Sequence, residues 1–142
     1  MRQLITILLV ALYASNTPAN ECFDDKKLAE LRSLAPNGAM VYVWSPRMVY
    51  SVQNMDVASR AAEASGMRFV ALHDSRVSAS EMPILPMASL AMCSQQLIAS
   101  DALRHFPSAF VITQHGIHRH AIVGAMPASA WLSSIAQRLA VP

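Results

Sequence analysis

The 142-residue chain is 54% hydrophobic and 14% charged, with a formal net charge of +2 and two cysteines. This length suits one domain, and the apolar fraction is too high for a disordered chain. The basic residues form no block, so nucleic-acid partners are not expected. Two cysteines are too few for a disulfide-dense miniprotein. A single globular domain is the class that remains.

The first nineteen residues have the pattern of a secretory signal. A short positive start at Met1-Arg2-Gln3 precedes an apolar run from Leu4 to Ala14, and the small residues Thr17 and Ala19 fit a cleavage site. An anchor across the bilayer needs ~20 apolar residues, and this run is shorter. The pattern therefore predicts a signal peptide at 1–19, a mature domain at 20–142, no membrane span after cleavage, and a periplasmic location.

Alternating helices and strands are predicted in the first half of the mature chain. Pro36-Asn37-Gly38 ends a helix, and the apolar run after it is typical of a buried strand. Ser45 and Pro46 favour a helix start, because serine caps free amide groups and proline suits the first helical position. The predicted elements are a helix over Asp25–Leu34, a strand over Ala39–Trp44, a helix over Pro46–Ser65 and a strand over Arg68–His73.

The second half is predicted to contain an irregular insert, a hairpin and a closing helix. The insert, 74–106, contains several prolines and two short helices. Gly116 marks the hairpin turn. The predicted elements are insert helices near Ala88–Gln95 and Ile98–His105, hairpin strands over Ser108–Thr113 and Ile117–Val123, and a helix over Pro127–Leu139.

This order of elements resembles the thioredoxin-like fold superfamily. The local match comprises Phe106-Pro107-Ser108, the turn residue Gly116 and the pair Val123-Gly124 ahead of the last helix. The resemblance implies an α/β fold, with a central mixed sheet of about four strands flanked by helices and an irregular helical insert before the hairpin. It also implies that Pro107 is a cis proline.

The sequence departs from that superfamily at the position of its redox chemistry. Members that exchange disulfides carry two cysteines, separated by two residues, where the first core helix begins. The predicted helix start places Ser45, Pro46, Arg47 and Met48 there, and an alternative register places Met48-Val49-Tyr50-Ser51 there. Neither contains a cysteine, and exchange requires a thiolate. The chain is therefore predicted to be an exported member that lacks the two-cysteine motif.

The resemblance also implies a binding surface, because this helix start and the cis-proline loop together receive an extended peptide. Trp44, Arg47, Met48 and Pro107 are the corresponding residues. The leading hypothesis is a binding or assembly accessory, without redox chemistry or cofactor, that acts on another exported or envelope protein. The missing cysteine pair argues against an enzyme.

Cys22 and Cys93 are predicted to form a structural disulfide, since both survive cleavage into an oxidising compartment. Two free thiols, or a redox-active Cys93, are the alternatives. A reactive Cys93 would make the protein an atypical thiol-disulfide oxidoreductase.

Metal handling is the remaining alternative, and it is less favoured. His118 and His120 alternate along a predicted strand beside His115, a pattern that a solvated strand face also explains. Thioether and thiolate sulfur suit Cu(I), which allows a copper-handling function. The residues that could serve it are Met82, Met87, Met92, Cys93 and His105. No metal ligand set is assigned from these patterns.

Overall fold

The computed structural model describes residues 21–85 and 87–141, so the predicted signal peptide at 1–19 lies outside it. Strands alternate with helices along most of the described chain, as the sequence predicts. The elements are β1 (Cys22–Phe23), α1 (Asp25–Leu34), β2 (Ala39–Trp44), α2 (Val49–Gln53), α3 (Met55–Ala64), β3 (Arg68–His73), β4 (Ser89–Met92), α4 (Gln95–Ala99), β5 (Ser108–Thr113), β6 (Gly116–Ile117), β7 (Ile122–Val123) and α5 (Ala128–Ala140).

The strands form one mixed sheet in the order β1-β4-β3-β2-β5-β6, with β7 paired to β5. The central strand β2 runs parallel to β3 and antiparallel to β5, and β4 runs parallel to β3. The predicted mixed sheet is confirmed, but the described residues form seven strands, and the four of four or more residues (β4, β3, β2 and β5) include β4, which was not among the predicted strands. Three two-residue strands extend the sheet.

Helices cover both faces of this sheet. Met40, Tyr42 and Trp44 point to one face, where they pack with residues of α3 and α5. Val41 and Val43 point to the other face and pack with residues of α1 and α4. Every residue of β2 is buried. Burial on both faces explains why this strand reads as an unbroken apolar run rather than an alternating one.

The long helix predicted from Pro46 to Ser65 is wrong at its start, which lies at Val49, and in its continuity, because it divides into α2 and α3 at Asn54. The Asn54 side chain donates to the carbonyl of Met126 at 2.9 Å and accepts from the indole N–H of Trp131 at 2.7 Å. Both partners are more than seventy residues away, so this tertiary contact could not be predicted from the local pattern.

The insert also differs from its prediction. The helix predicted near Ala88–Gln95 is wrong: Ser89–Met92 forms β4, with Leu90 opposite Leu72 of β3. The second insert helix, predicted near Ile98–His105, instead spans Gln95–Ala99, and it begins where the hydroxyl of Ser94 accepts from the N–H of Leu97 and caps it. A short 3-10 helix, Ala79–Glu81, precedes these elements.

The second hairpin strand is interrupted between β6 and β7. Ile117 lies opposite Ile112, and Ile122 lies opposite Ala109. From Ile117 to Ile122 the chain advances five residues, whereas the opposite strand advances only three, from Ile112 to Ala109. The segment His118–Ala121 therefore bulges from the sheet. No helix in the described part of the chain has the length and apolar character needed to cross a membrane.

Candidate functional site

The end of β2 and the start of β5 meet at one end of the sheet. Val43 lies opposite Ser108, so the residues that follow Trp44 and those that precede Ser108 leave the sheet at the same end. The Phe106–Pro107 peptide bond is cis, and the carbonyl of Pro107 accepts from the N–H of Gly124 at 3.0 Å. This register brings the segment after β2 and the cis-proline loop to a common region.

The first core helix begins at Val49 rather than at Pro46. Ser45 to Met48 instead form a turn, in which the N–H of Met48 donates to the carbonyl of Ser45 at 3.0 Å. Proline is favoured at the second position of such a turn as well as at a helix start, which explains the wrong prediction. A helix start at Val49 favours the alternative register, Met48-Val49-Tyr50-Ser51, as the counterpart of the position where disulfide-exchanging proteins of this fold carry their cysteines.

Ser51 fixes this turn from inside the protein. Its buried hydroxyl accepts from the N–H of Ser45 at 3.1 Å and lies within hydrogen-bond distance of the carbonyls of Ser45 and Met48. The carbonyl of Ser51 accepts from the hydroxyl of Tyr42 at 2.6 Å. Burial raises the pKa of Tyr42, so this donor keeps its proton. A buried hydroxyl thus performs a structural role at the first turn of α2.

Three consecutive apolar side chains are exposed at this helix start. Met48 is 47% exposed, Val49 59% and Tyr50 73%. The neighbouring apolar residues of β2 are all buried, so this exposure is local. We call Met48, Val49 and Tyr50 the helix-start surface. Of these three residues, only Met48 was predicted from the sequence to contact a partner. Val49 and Tyr50 belong to the alternative register, which would have identified them.

Arg47, predicted to contact a partner, is engaged within the protein. Its guanidinium pairs with Glu81 through two contacts, at 2.8 and 3.1 Å. Glu81 also accepts from the N–H of Ser78 at 2.8 Å. The hydrogen bond from Arg47, with that from Ser78, lowers the pKa of Glu81 to about 2. Arg47 therefore fastens the insert beside the helix-start surface. No local sequence pattern indicates this pair, because its members lie 34 residues apart.

Two other predicted partner residues are buried. Trp44 is fully buried, and its indole N–H donates to the hydroxyl of Ser89 at 3.0 Å. Trp44 therefore does not reach the partner-binding surface to which it was assigned, because the insert strand β4 brings Ser89 beside it. The same hydroxyl lies 3.0 Å from Nδ1 of His73. Pro107 is also buried, so it supports the cis-proline loop from inside the protein.

Cys22 and Cys93 are joined in a disulfide, with their Cα atoms 5.7 Å apart. The bond fastens β1 to the end of β4, and both cysteines are half-buried. In the sheet, β4 and β5 are separated by β3 and β2, which makes three strand-to-strand spacings. The disulfide at the end of β4 therefore lies about 14 Å across the sheet from β5, the strand that follows Pro107. The structure thus does not bring Cys93 to the cis-proline loop.

The residues considered for copper are not assembled into one site. Met82 and Met87 pack against the core on the face of α3 and α5, whereas Met92 is buried in the core on the other face. The sulfur of Cys93 is engaged in the disulfide. Within residues 21–85 and 87–141, no three histidine, cysteine or acidic side chains are grouped to hold a metal ion.

Comparison with known proteins identifies the architecture. The exposed lipoprotein thioredoxin Etrx1 of Streptococcus pneumoniae superposes with a TM-score of 0.57 at 12% identity, over 78% of this chain and 89% of that one. A putative thiol:disulfide interchange protein DsbE from Chlorobium tepidum gives 0.53 at 18% identity, over 79% and 84%. The fold is thioredoxin-like. No protein-family model and no curated protein matches the sequence.

A further thiol:disulfide interchange protein, of the thioredoxin family and from Chlorobium tepidum TLS, gives a TM-score of 0.52 at 16% identity, over 78% of this chain and 83% of that one. At these identities the likeness extends to the fold. Function must therefore be argued from the residues of this chain, above all those of the helix start.

Proposed function

We propose that the mature domain is a periplasmic binding or assembly accessory, which holds an extended segment of another exported protein at the helix-start surface without exchanging disulfides there. The observation that carries the proposal is the exposure of Met48, Val49 and Tyr50 together, directly after a strand, β2, in which every residue is buried. The signal-like sequence at 1–19 supports export.

The chemistry of the surface suits an apolar segment. Tyrosine is a frequent anchor in interfaces, and methionine adapts its shape to the partner side chain. Val123, opposite Ser108 and therefore at the same end of the sheet, is 52% exposed and extends the apolar area toward the cis-proline loop. Arg47 is neutralised by Glu81, so charge contributes little to recognition.

The turn beneath this surface is rigid, which favours binding. The hydroxyl of Ser51 and the phenol of Tyr42 fix Ser45 to Met48 through buried hydrogen bonds. A surface that is already ordered loses less conformational entropy when a partner binds. In this proposal, Met48 and Ser51 stand where exchange would need two thiols, and neither side chain supplies one.

The test is site-specific photocrosslinking in the native envelope. A benzophenone side chain replaces Tyr50 in one variant and Leu34 in a matched control, since Leu34 is 63% exposed at the end of α1. We expect a discrete adduct with an exported protein from position 50 and none from position 34. The adduct should disappear when Met48 and Val49 are both changed to serine. Identical adducts from both positions, or none from position 50, would refute the proposal.

A second candidate function rests on the half-buried disulfide. A substrate thiolate could attack the sulfur of Cys93, with Cys22 leaving as a thiolate, and a second substrate thiol would then release an oxidised substrate and a reduced domain. A Cys22→Ser variant tests this reaction, because its Cys93 would trap mixed disulfides with substrates. Recovery of such adducts, absent from Cys93→Ser, would favour this function over the first.

A further inference from the structure

A cationic region lies at the other end of the molecule from the helix-start surface. The turn between β5 and β6 follows the end of β5 that pairs with the beginning of β2. Two adjoining cavities of about 320 and 240 Å³ lie between this hairpin and the end of α5. The basic residues that line them are His115, His118, Arg119, His120 and Arg138.

No acidic residue among the described ones that line these cavities neutralises their positive charge. Among the described residues, neither Arg119 nor Arg138 forms an ion pair, whereas Arg47, Arg60, Arg76 and Arg104 each have a carboxylate partner. A pair of arginines without counter-ions around a concave surface attracts an anion.

Arg138 is held in place to present its remaining donors. Its guanidinium donates to the carbonyls of His120 at 2.7 Å, Ser134 at 2.9 Å and Ala121 at 3.1 Å. A guanidinium has five N–H donors, so two remain for a ligand. Partial burial lowers the pKa of Arg138, because removal from water disfavours the charged form.

The bulge in the second hairpin strand adds imidazole donors. Nδ1 of His118 accepts from the N–H of His120 at 3.2 Å, so the neutral ring of His118 carries its proton on Nε2. The rings of His118 and His120 lie with their centroids 5.8 Å apart. Donors thus come from the bulge on one side and from α5 on the other.

We propose that this groove between the 118–121 bulge and α5 is a phosphate-binding site. A phosphate group has several oxygen acceptors in a tetrahedral arrangement, which suits donors that arrive from two elements, whereas a carboxylate offers two oxygens in one plane. Arginine is favoured for this role because its planar fork binds phosphate oxygens in pairs. The phosphate belongs either to a free phosphorylated molecule or to a phospholipid headgroup.

The test follows the imidazole NMR signals of the mature domain during titration with inorganic phosphate, at constant ionic strength set with chloride. Arg119→Gln removes an exposed donor that makes no contact needed for folding. Arg68→Gln is the matched control, since Arg68 is also exposed and lies at the start of β3. We expect saturable shifts of His118 and His120, weakened at least about tenfold by Arg119→Gln and unchanged by Arg68→Gln.

Equal weakening by both variants, or shifts that never saturate, would overturn the proposal. Sedimentation with phosphatidylglycerol vesicles, compared with phosphatidylcholine vesicles, then separates the two sources. Binding to the anionic vesicles that Arg119→Gln abolishes assigns the site to a lipid headgroup. Saturable phosphate binding without vesicle binding assigns it to a free phosphorylated molecule.

Discussion

The hydroxyl of Tyr42 donates a 2.6 Å hydrogen bond to the main-chain carbonyl of Ser51, and so joins the central strand to the first turn of α2. Since both groups are buried, removal of the donor leaves an acceptor without a partner. We expect Tyr42→Phe to lower the free energy of unfolding by about 1–3 kcal/mol. Urea denaturation measures the change, and an unaltered midpoint would contradict this role.

The hydroxyl of Ser51 is predicted to matter as much as that of Tyr42. Ser51→Ala leaves the buried N–H of Ser45 without its acceptor, which we expect to cost about 1–3 kcal/mol of stability. Ser133→Ala is the control, because Ser133 is exposed on α5 and should change stability by less than about 0.5 kcal/mol. Equal effects of the two changes would show that the turn does not depend on this hydroxyl.

The ion pair between Arg47 and Glu81 should weaken in acid, because it needs the ionised carboxylate of Glu81. The pKa of Glu81 is about 2 in the folded protein, below its ordinary 4.5. The ionised carboxylate of Glu81 therefore makes its full contribution to the stability of the fold above pH 4.5, and this contribution is lost as the pH falls toward 2. We expect Glu81→Gln to lower Tm at pH 7 and to have little effect at pH 2.

Thermal unfolding at both pH values provides the measurement. Asp56→Asn serves as the control, since Asp56 pairs with Arg60 within one helix and joins no separate segments. A Glu81→Gln effect that persists undiminished at pH 2, or that is no larger than that of Asp56→Asn at pH 7, would show that the pair does not hold the insert.

The sequence predicted the central strands accurately because their apolar runs are local signals. The bounds of β2, β3 and β5, and of helix α1, are those expected. Pro46 misled the helix prediction because a turn and a helix accept proline equally well at this point. Trp44 and Arg47 were assigned to a partner surface because their internal contacts, Ser89 and Glu81, come from the distant insert.

The register of the helix start can itself be tested by restoring thiols. Met48→Cys/Ser51→Cys places a cysteine pair across the beginning of α2, where thiol pKa values are commonly lowered. We expect this variant to form a second disulfide and to exchange with a small fluorescent disulfide at least about tenfold faster than the control. The control is Ser45→Cys/Met48→Cys, which has the same spacing within the turn. Equal rates, or a faster control, would contradict the assignment.

The native disulfide is predicted to be structural. It closes a loop of 71 residues, and the chain-entropy description gives at most ~4 kcal/mol of stabilisation for such a loop. We expect Cys22→Ala/Cys93→Ala to lower the free energy of unfolding by ~2–4 kcal/mol, as should reduction of the unmodified domain. Urea denaturation with and without reductant is the measurement. A variant as stable as the oxidised protein would contradict a structural role.

The most direct measurement of the central claim is thiol-disulfide exchange by the unmodified mature domain, with a protein disulfide as substrate and a thiol as reductant. If the segment Met48 to Ser51 binds a partner without exchanging disulfides, the unmodified domain should catalyse exchange no faster than the Cys93→Ser variant does under the same conditions. Catalytic turnover by the unmodified domain that Cys93→Ser abolishes would contradict the account, and would transfer the function to the Cys22–Cys93 pair.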